Sequence, residues 1–306
     1  MGLGSVPQPW PSVPRYNMAL LLLMRPLLLS LLATTLLSAA PIRVLILDGI
    51  NNHDWQTGTA FLKSTLERTG KFAVDVSTSP PREATPDQWA QWHPNFANYK
   101  VVINNFNGGH LKDGVRWPAV VERDFLNYLK QGGGVVNFHA ANNAFLLWPE
   151  YNDLVGLLWR DKSFGPGLVV DISKKVMTVP ANEGPQPGHG PRHDFRVEIL
   201  DPRHPITKGL PASWQHKSEQ LTHGQHGPAA ALKDLHILTY AYSKDSQRNE
   251  PMDWLRSYGK GRVYTTMLGH TWRNETNPNL DVPEFQRLLV RAIEWAATGK
   301  VTLPAN

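Results

Sequence analysis

The amino-acid sequence predicts an α/β fold in which a mainly parallel sheet lies between two layers of helices. Short apolar segments alternate with amphipathic ones along residues 42–138, a pattern typical of βαβ units. The apolar run Val135–Phe138, led by three glycines, is typical of an inner strand of a parallel sheet. Polar residues follow the apolar segments, and in a parallel sheet these loops meet at one edge.

In chain order, the predicted elements are separated by loops rich in Gly and Pro. Predicted strands cover residues 43–48, 72–77, 100–104, 135–138, 195–199, 237–242, 252–258 and 261–269. Predicted helices cover residues 57–69, 118–131 and 283–298, with one turn at 87–91. Residues 160–235 hold many Gly, Pro and His residues. We therefore expect one domain whose later half inserts loops and hairpins over the edge where the polar loops meet.

Composition limits the classes of function. The chain has 306 residues, of which 41% are hydrophobic and 19% charged, as is ordinary for a globular protein. Its net charge of +5 is spread along the sequence, which argues against nucleic acid as a partner. Because the chain contains no cysteine, disulfides, thiolate metal sites and a cysteine nucleophile are excluded.

Residues 1–40 are predicted to be a signal peptide or an N-terminal anchor, followed by a domain at residues 41–306. The uninterrupted apolar run at residues 27–37 is shorter than the roughly 20 residues that a membrane span needs. Positive charge precedes this run, and the small residues at 38–40 suit a cleavage site. We expect export to the periplasm or the cell exterior, with membrane anchoring if the N-terminus stays uncleaved.

His139 is the predicted centre of the functional site. It follows the apolar run directly, and Ala140 and Ala141 are small enough for a sharp turn from strand to helix. The loops after the neighbouring strands carry Asp48 to Asp54 and Asn104 to Asn107, which reach the same edge. The alternative interpretation is a buried histidine that only ends a strand.

Histidine is frequent in the later loops and suggests a second kind of site. A divalent metal such as zinc could be held by three of these imidazoles, for which we name His189, His193 and His223. Asp194 or Glu219 would then accept hydrogen bonds from the metal-ligating imidazoles without contacting the ion. The spacing is not that of a helical metal motif, so the alternative is a set of loop histidines bonded to backbone carbonyls.

Aromatic and amide side chains near the predicted edge suit a sugar, which needs flat apolar faces and many hydroxyl partners. Trp55, Trp148 and Trp272 lie in or just after the polar loops, although each could simply bury a loop. Arg192 could hold an anionic or polar group. No glycine-rich phosphate motif follows a strand, and no serine occupies the turn at residue 139.

The chain carries several motifs in order: Leu47-Asp-Gly-Ile-Asn-Asn-His-Asp-Trp55, Phe138-His-Ala-Ala-Asn-Asn-Ala-Phe145, Gly188-His-Gly-Pro-Arg-His-Asp-Phe195, Glu250-Pro-Met252 and Tyr258-Gly-Lys-Gly-Arg-Val263 before Gly269-His270. Together these motifs resemble the ThuA-like family, which is named for a trehalose-utilisation protein. The resemblance covers nearly all of residues 42–298. It implies a flavodoxin-like three-layer α/β sandwich similar to that of class I glutamine amidotransferases. Those relatives carry a cysteine nucleophile where this chain has His139, so glutaminase activity is not expected.

The resemblance implies breakdown of trehalose and related disaccharides through 3-keto sugars that a partner dehydrogenase makes. A ketone acidifies the neighbouring C–H bond, so a base could drive isomerisation or eliminative cleavage, and the enzyme would be a lyase, hydrolase or isomerase. His139 is the candidate base or metal ligand, with His270 and Asp48 completing the catalytic set. The alternatives are a non-catalytic sugar-binding module and a metal-dependent hydrolase of another substrate. Residues expected to contact the sugar are Asn52, His53, Asp54, Trp55, Asn104, Asn142, Asn143 and Arg192.

Overall fold

The protein is described by a computed structural model that covers residues 1–2, 8–9, 40–109 and 113–305. The predicted leader at residues 1–40 therefore lies almost entirely outside the described residues, and its cleavage and anchoring stay predictions. None of the helices in the described ranges combines the length and the apolar character that a bilayer-spanning segment requires.

The described residues contain thirteen strands and six α-helices, and two short 3-10 segments at Phe96–Asn98 and His139–Asn143. The helices are α1 (Trp55–Glu67), α2 (Pro86–Gln91), α3 (Ala119–Lys130), α4 (Pro149–Val155), α5 (Ala229–Leu232) and α6 (Pro283–Thr298). The strands are β1 (Ile42–Asp48), β2 (Phe72–Thr78), β3 (Val101–Asn104), β4 (Gly134–Phe138), β5 (Gly167–Val170), β6 (Val176–Val179), β7 (Gly188–His189), β8 (His193–Ile199), β9 (Ser213–Glu219), β10 (Thr222–His223), β11 (His236–Ser243), β12 (Arg248–Tyr258) and β13 (Gly261–Thr266).

The first half of the chain and β13 build a parallel core with the strand order β2-β1-β3-β4-β13. This is the flavodoxin-like order, so the predicted fold class is confirmed. The later half differs in detail from the expectation of hairpins lying over the edge. Strands β12, β11, β8 and β9 extend the same sheet by antiparallel pairing, and the β5–β6 hairpin joins it at β12. A separate ribbon pairs β7 with β10.

Two apolar cores flank the sheet because successive strand residues point to opposite faces. Ile46 of β1 packs in the same core as Leu62 of α1 and Leu288 of α6. Leu47, the next residue, belongs to the other core together with Phe125 of α3. The three-layer arrangement of helices, sheet and helices is thereby confirmed, and both cores hold the parallel strands rigidly beneath their loops.

Strand β9 is the element whose absence from the predicted set matters most. Its sequence, Ser213–Glu219, offers one large apolar residue, Trp214, and therefore lacks the alternation that predicts a strand. Two of its inward positions are the fully buried polar residues His216 and Glu219. They pair with each other, with His216 Nε2 lying 2.5 Å from Glu219 Oε2, so the strand is stabilised by a buried polar contact that no hydropathy pattern reveals.

Candidate functional site

Three histidines from distant parts of the chain meet at the carboxyl edge of the parallel strands. His53 lies in the loop between β1 and α1, His139 directly follows β4, and His270 lies four residues after β13. The ring centroids of His53 and His270 are 4.1 Å apart, those of His139 and His270 4.7 Å, and those of His53 and His139 4.8 Å. The predicted convergence of loops at this edge therefore holds for these three side chains.

His139 occupies a strained backbone conformation at the sharp turn that the sequence predicts. Its φ is +42°, in the left-handed region that residues with a Cβ rarely adopt, and strain of this kind concentrates at functional sites. The ring nitrogen Nδ1 lies 2.6 Å from the carbonyl oxygen of Met267. Since a carbonyl can only accept, Nδ1 donates the hydrogen bond and Nε2 is the nitrogen with the lone pair.

His270 is positioned by its neighbours in sequence. Gly269 adopts a φ of +104°, and a Cβ on it would lie 2.3 Å from the ring of Phe138, so glycine is required there. The ring of Trp272 stacks on the ring of His270 with centroids 4.0 Å apart and planes 9° apart. These contacts fix both the backbone and the ring of His270.

Glu219 ties the histidine cluster to β9. Its buried carboxylate accepts the backbone N–H groups of Gly269 and His270, at 2.9 and 3.0 Å from Oε1, and also the Asn279 side-chain amide. Oε1 lies 3.9 Å from Nδ1 of His139. Burial alone would raise the pKa of Glu219, but the hydrogen bond from His216, nearby imidazoles and the His270 N–H together lower it. Glu219 is therefore ionised at neutral pH and places one negative charge beside the cluster.

The buried imidazoles of the cluster are neutral at physiological pH. Burial lowers the pKa of His139, although Glu219 and Met267 partly oppose this effect. Burial is also the main cause that lowers the pKa of His270 far below its usual value, followed by the neighbouring His139 and His53. Neutral imidazole nitrogens can accept a proton or bind a metal ion, whereas protonated ones can do neither.

The cluster forms one wall of a cavity of about 170 Å³. The other walls carry amide, hydroxyl, imidazole and indole groups, so that most directions around a bound molecule offer a polar partner. Among these lining residues, the ring centroids of Trp159 and His189 are 5.6 Å apart. The residues that line the cavity are Asn52, His53, His139, Ala140, Asn143, Trp159, His189, Thr222, Met267 and His270.

The predicted sugar contacts divide into two groups. Asn52, His53 and Asn143 line the cavity, as do the predicted catalytic residues His139 and His270. The remaining predicted contacts do not line it and have structural partners instead. Asp54 caps α1 by accepting from Thr57, and the carbonyl oxygen of Trp55 accepts from Asn105. Asn104 is hydrogen-bonded to Tyr151, and Asn142 to Leu157 and Trp159. Arg192 is hydrogen-bonded to Ser218, Glu275 and Thr276.

Asp48, the third predicted catalytic residue, is buried beneath the edge and does not line the cavity. Its Oδ2 accepts from the Thr59 hydroxyl at 2.7 Å, and its Oδ1 has no hydrogen-bond partner among the described residues. Burial raises the pKa of this carboxyl group despite the hydroxyl contacts. Asp48 thus joins β1 to α1, and the geometry does not give it a direct part in the chemistry.

The predicted metal ligands are not brought together. His189 lines the cavity, but Nδ1 of His193 contacts the carbonyl oxygen of Pro191, and Nδ1 of His223 lies 3.5 Å from Ser243 Oγ. Within the described ranges, the group of side chains close enough to hold a metal ion is His53, His139 and His270. None of the three predicted ligands belongs to this group, so the structure moves the candidate metal centre to the sheet edge.

Some functional residues carry no signal in the sequence. Trp159 enters the cavity because Oδ1 of Asn142 accepts its backbone N–H at 2.8 Å. Asn279 holds Glu219 and the carbonyl oxygen of His270 from a loop before α6. The sequence indicated Glu219 only as a residue that would hydrogen-bond metal-ligating histidines. Its place beside His270 depends on the pairing of β9 with β8, which the sequence pattern does not predict.

Comparison with known proteins identifies the family. The sequence matches the ThuA family, described as trehalose utilisation, over residues 43–296. The chain belongs to the ThuA family. A ThuA-like protein from Parabacteroides merdae is 37% identical, with a TM-score of 0.78 over 86% of this chain and 92% of that one. A ThuA-like protein from Bacteroides uniformis shares the fold at 18% identity, with a TM-score of 0.55 over 87% and 95% of the two chains. No curated protein gives a significant match.

Proposed function

We propose that this ThuA-family protein is an enzyme of carbohydrate breakdown that acts on 3-keto derivatives of glycosides such as trehalose. The observation that carries the proposal is the convergence of His53, His139 and His270, two of them buried and neutral, on one small polar cavity. A group of neutral imidazoles beside a cavity is suited to proton transfer near neutral pH.

The size and lining of the cavity favour a single sugar ring as the bound unit. Its volume of about 170 Å³ lies below the roughly 300–1,000 Å³ of pockets for drug-sized ligands. Asn52, Asn143 and Thr222 offer hydrogen-bond partners for hydroxyl groups, while Trp159 offers a flat apolar face. The reacting ring of a disaccharide would occupy the cavity, and the second ring would lie towards solvent.

The chemistry requires a base and a way to stabilise negative charge on oxygen. A ketone acidifies the C–H bond of the carbon that separates it from the anomeric carbon. An unprotonated imidazole takes this proton, the C–H electron pair forms a double bond to the anomeric carbon, and the glycosidic C–O bond breaks. The departing oxygen takes up a proton and leaves as an alcohol, so no oxidant or reductant is consumed.

The proposal extends to the surroundings of the enzyme. A ketone on a sugar ring arises by oxidation of a hydroxyl group, so a sugar dehydrogenase would act upstream. The apolar run at residues 27–37 supports export as part of the same proposal. Fractionation of cells that express the full chain tests export, and we expect the protein outside the cytoplasm.

The experiment is an NMR assay of the full chain with 3-keto-trehalose in D₂O, with unoxidised trehalose as the control substrate. Exchange of deuterium at the carbon next to the ketone reports proton removal even where cleavage is slow. We expect exchange and cleavage with wild type and a loss of at least 100-fold in His139→Ala. His93→Ala is the matched control, because His93 is an exposed histidine paired with Asp124 outside the cavity.

Two outcomes would contradict the proposal. One is a folded wild type, supplied with zinc, that neither exchanges nor cleaves the keto sugar. The other is full activity in a folded His139→Ala protein, which would remove the chemistry from this cavity. Tight sugar binding without exchange would support the sugar-binding module instead of the enzyme.

A further inference from the structure

We propose that His53, His139 and His270 bind one divalent metal ion, with zinc as the favoured species. Each side chain offers one ring nitrogen, and these nitrogens all lie within 4.8 Å of one another. Three imidazoles with one open position form a ligand set that catalytic zinc sites use. The three residues come from loops after β1, β4 and β13, so the folded sheet assembles the group from distant parts of the sequence.

The hydrogen bonds of two of the rings indicate which ring nitrogen donates and which carries the lone pair of the neutral ring. Nδ1 of His139 donates to the Met267 carbonyl oxygen at 2.6 Å, which makes Nε2 the nitrogen with the lone pair. Nδ1 of His53 lies 3.1 Å from Oδ1 of Asn52 and 3.2 Å from Oδ1 of Asn51, and both amide oxygens are acceptors. A histidine that binds a metal through one nitrogen commonly donates its other N–H to a carbonyl or carboxylate oxygen.

The spacing of the nitrogens requires only a small adjustment. Zn–N bonds of about 2.0–2.1 Å in a tetrahedral site place neighbouring nitrogens about 3.3 Å apart. Shifts of about 1 Å in the side chains would close the observed triangle. His139 and His270 are held by Met267, Trp272 and Glu219. His53 is half-buried in the loop between β1 and α1, where its ring contacts the side chains of Asn51 and Asn52.

The local charge also favours a cation at this place. Glu219 is buried, and its Oε1 lies 3.9 Å from Nδ1 of His139. A carboxylate behind a ligating imidazole increases the basicity of the ligand and offsets part of the charge of the ion.

The ion would border the cavity and could polarise the ketone of a bound sugar or a bound water. This assignment changes the roles of the histidines, because a ligating nitrogen cannot also accept a proton. His189 lines the same cavity, and its Nδ1 lies 3.2 Å from the carbonyl oxygen of Gly190, so Nδ1 donates and the lone pair of the neutral ring lies on Nε2. His189 therefore becomes the proton acceptor, a step that rests on the proposed function, whereas the metal site does not.

The test measures metal binding separately from turnover. The untagged full chain is freed of metal with a chelator and titrated calorimetrically with Zn²⁺, and with Co²⁺, whose visible absorption reports imidazole ligation. We expect one equivalent to bind to wild type and to His93→Ala. We expect the affinity to fall by more than 100-fold in His53→Ala and His270→Ala. Removing a residue that only hydrogen-bonds a metal ligand typically lowers the affinity by about 10–100-fold, so a larger loss indicates a direct ligand. His53→Ala is the main variant because its loop position tolerates truncation, and circular dichroism verifies the fold.

Each outcome decides the proposal. Failure of folded wild type to bind either ion would overturn the metal site. Wild-type affinity in both folded variants, His53→Ala and His270→Ala, would also overturn it. Binding of one ion without turnover of 3-keto-trehalose would keep the metal site and remove the proposed function. Turnover that survives complete chelation would keep the proposed function and remove the ion from the chemistry, while the binding titration would still decide the metal site. His189→Gln is expected to bind the ion normally and to lose turnover, and normal turnover in this variant would overturn the role of His189.

Discussion

The ring of Trp272 lies flat on the ring of His270, with centroids 4.0 Å apart. Arg192 approaches the same indole, its guanidinium carbon 4.0 Å from the ring centroid. The hydrogen bonds of Arg192 to Ser218 and Thr276 fix this stack in place. Arg192, which the sequence suggests as a sugar contact, thus acts on the site through Trp272 and His270.

Trp272→Ala is expected to weaken Co²⁺ binding by about 10-fold, because the His270 ring loses the surface that sets its orientation. Trp272→Phe keeps a flat ring and should stay within about threefold of wild type. Calorimetric titration of both variants checks the prediction. Equal affinities for wild type and Trp272→Ala would show that the stack does not orient His270.

Glu219→Gln is expected to lower the free energy of unfolding by about 2–4 kcal/mol, since a buried carboxylate with several donors becomes a group with one acceptor oxygen. Donors that it would fail to satisfy include the N–H groups of Gly269 and His270 and the ring of His216. Urea denaturation measures the difference. Glu67→Gln, at an exposed pair with Lys63, is the control and should change stability by less than about 0.5 kcal/mol.

Gly269→Ala should cost more than about 2 kcal/mol and remove activity, because the new Cβ meets the Phe138 ring and the backbone is left-handed. Gly70→Ala separates these causes. Gly70 also has a positive φ, +67°, but a Cβ there would meet no atom within 4 Å, so we expect a loss of about 1 kcal/mol. Equal losses in the two variants would contradict the steric explanation.

Glu294 provides a pH dependence of stability outside the candidate site. Burial would raise the pKa of this carboxyl group, but Lys71, Thr302 and the Leu303 N–H together lower it below its usual 4.5. At a pH between the two pKa values of this group, the unfolded chain binds more protons than the folded protein. The contribution of the Glu294 carboxylate to the free energy of unfolding is therefore complete above about pH 4.5 and is lost as the pH falls through the pKa of the folded state.

The variant Glu294→Gln should therefore be less stable than wild type at pH 7 by about 1–3 kcal/mol. The difference should shrink by up to about 1.4 kcal/mol per pH unit below pH 4.5. Urea denaturation between pH 3 and pH 7 measures it. A difference that stays constant over this range would show that the carboxylate is not responsible.

The parallel core could be predicted from sequence because its signals are local. The strand at residues 43–48 and the helix at residues 283–298 follow from apolar periodicity, and the structure has them at Ile42–Asp48 and Pro283–Thr298. Position at the carboxyl edge then follows from parallel topology, which is why His139, His270 and His53 could be placed in one region.

The rest of the site depends on contacts between distant segments. Glu219 reaches His270 only because β9 pairs with β8, which in turn pairs with β11. Trp159 reaches the cavity through a hydrogen bond to Asn142. The predicted ligands His193 and His223 had equally suitable side chains, and only the three-dimensional arrangement separates them from His53.

The β7–β10 ribbon pairs His189 with Thr222, and both residues line the cavity together with the three histidines. The two sets of lining residues therefore belong to different hydrogen-bonded structures: the three histidines follow strands of the parallel core, whereas His189 and Thr222 belong to a short two-stranded ribbon. Changes at Thr222 of the ribbon can alter which molecules enter without moving His53, His139 and His270. Relatives built on this frame are thus free to diverge in substrate range while keeping one kind of chemistry.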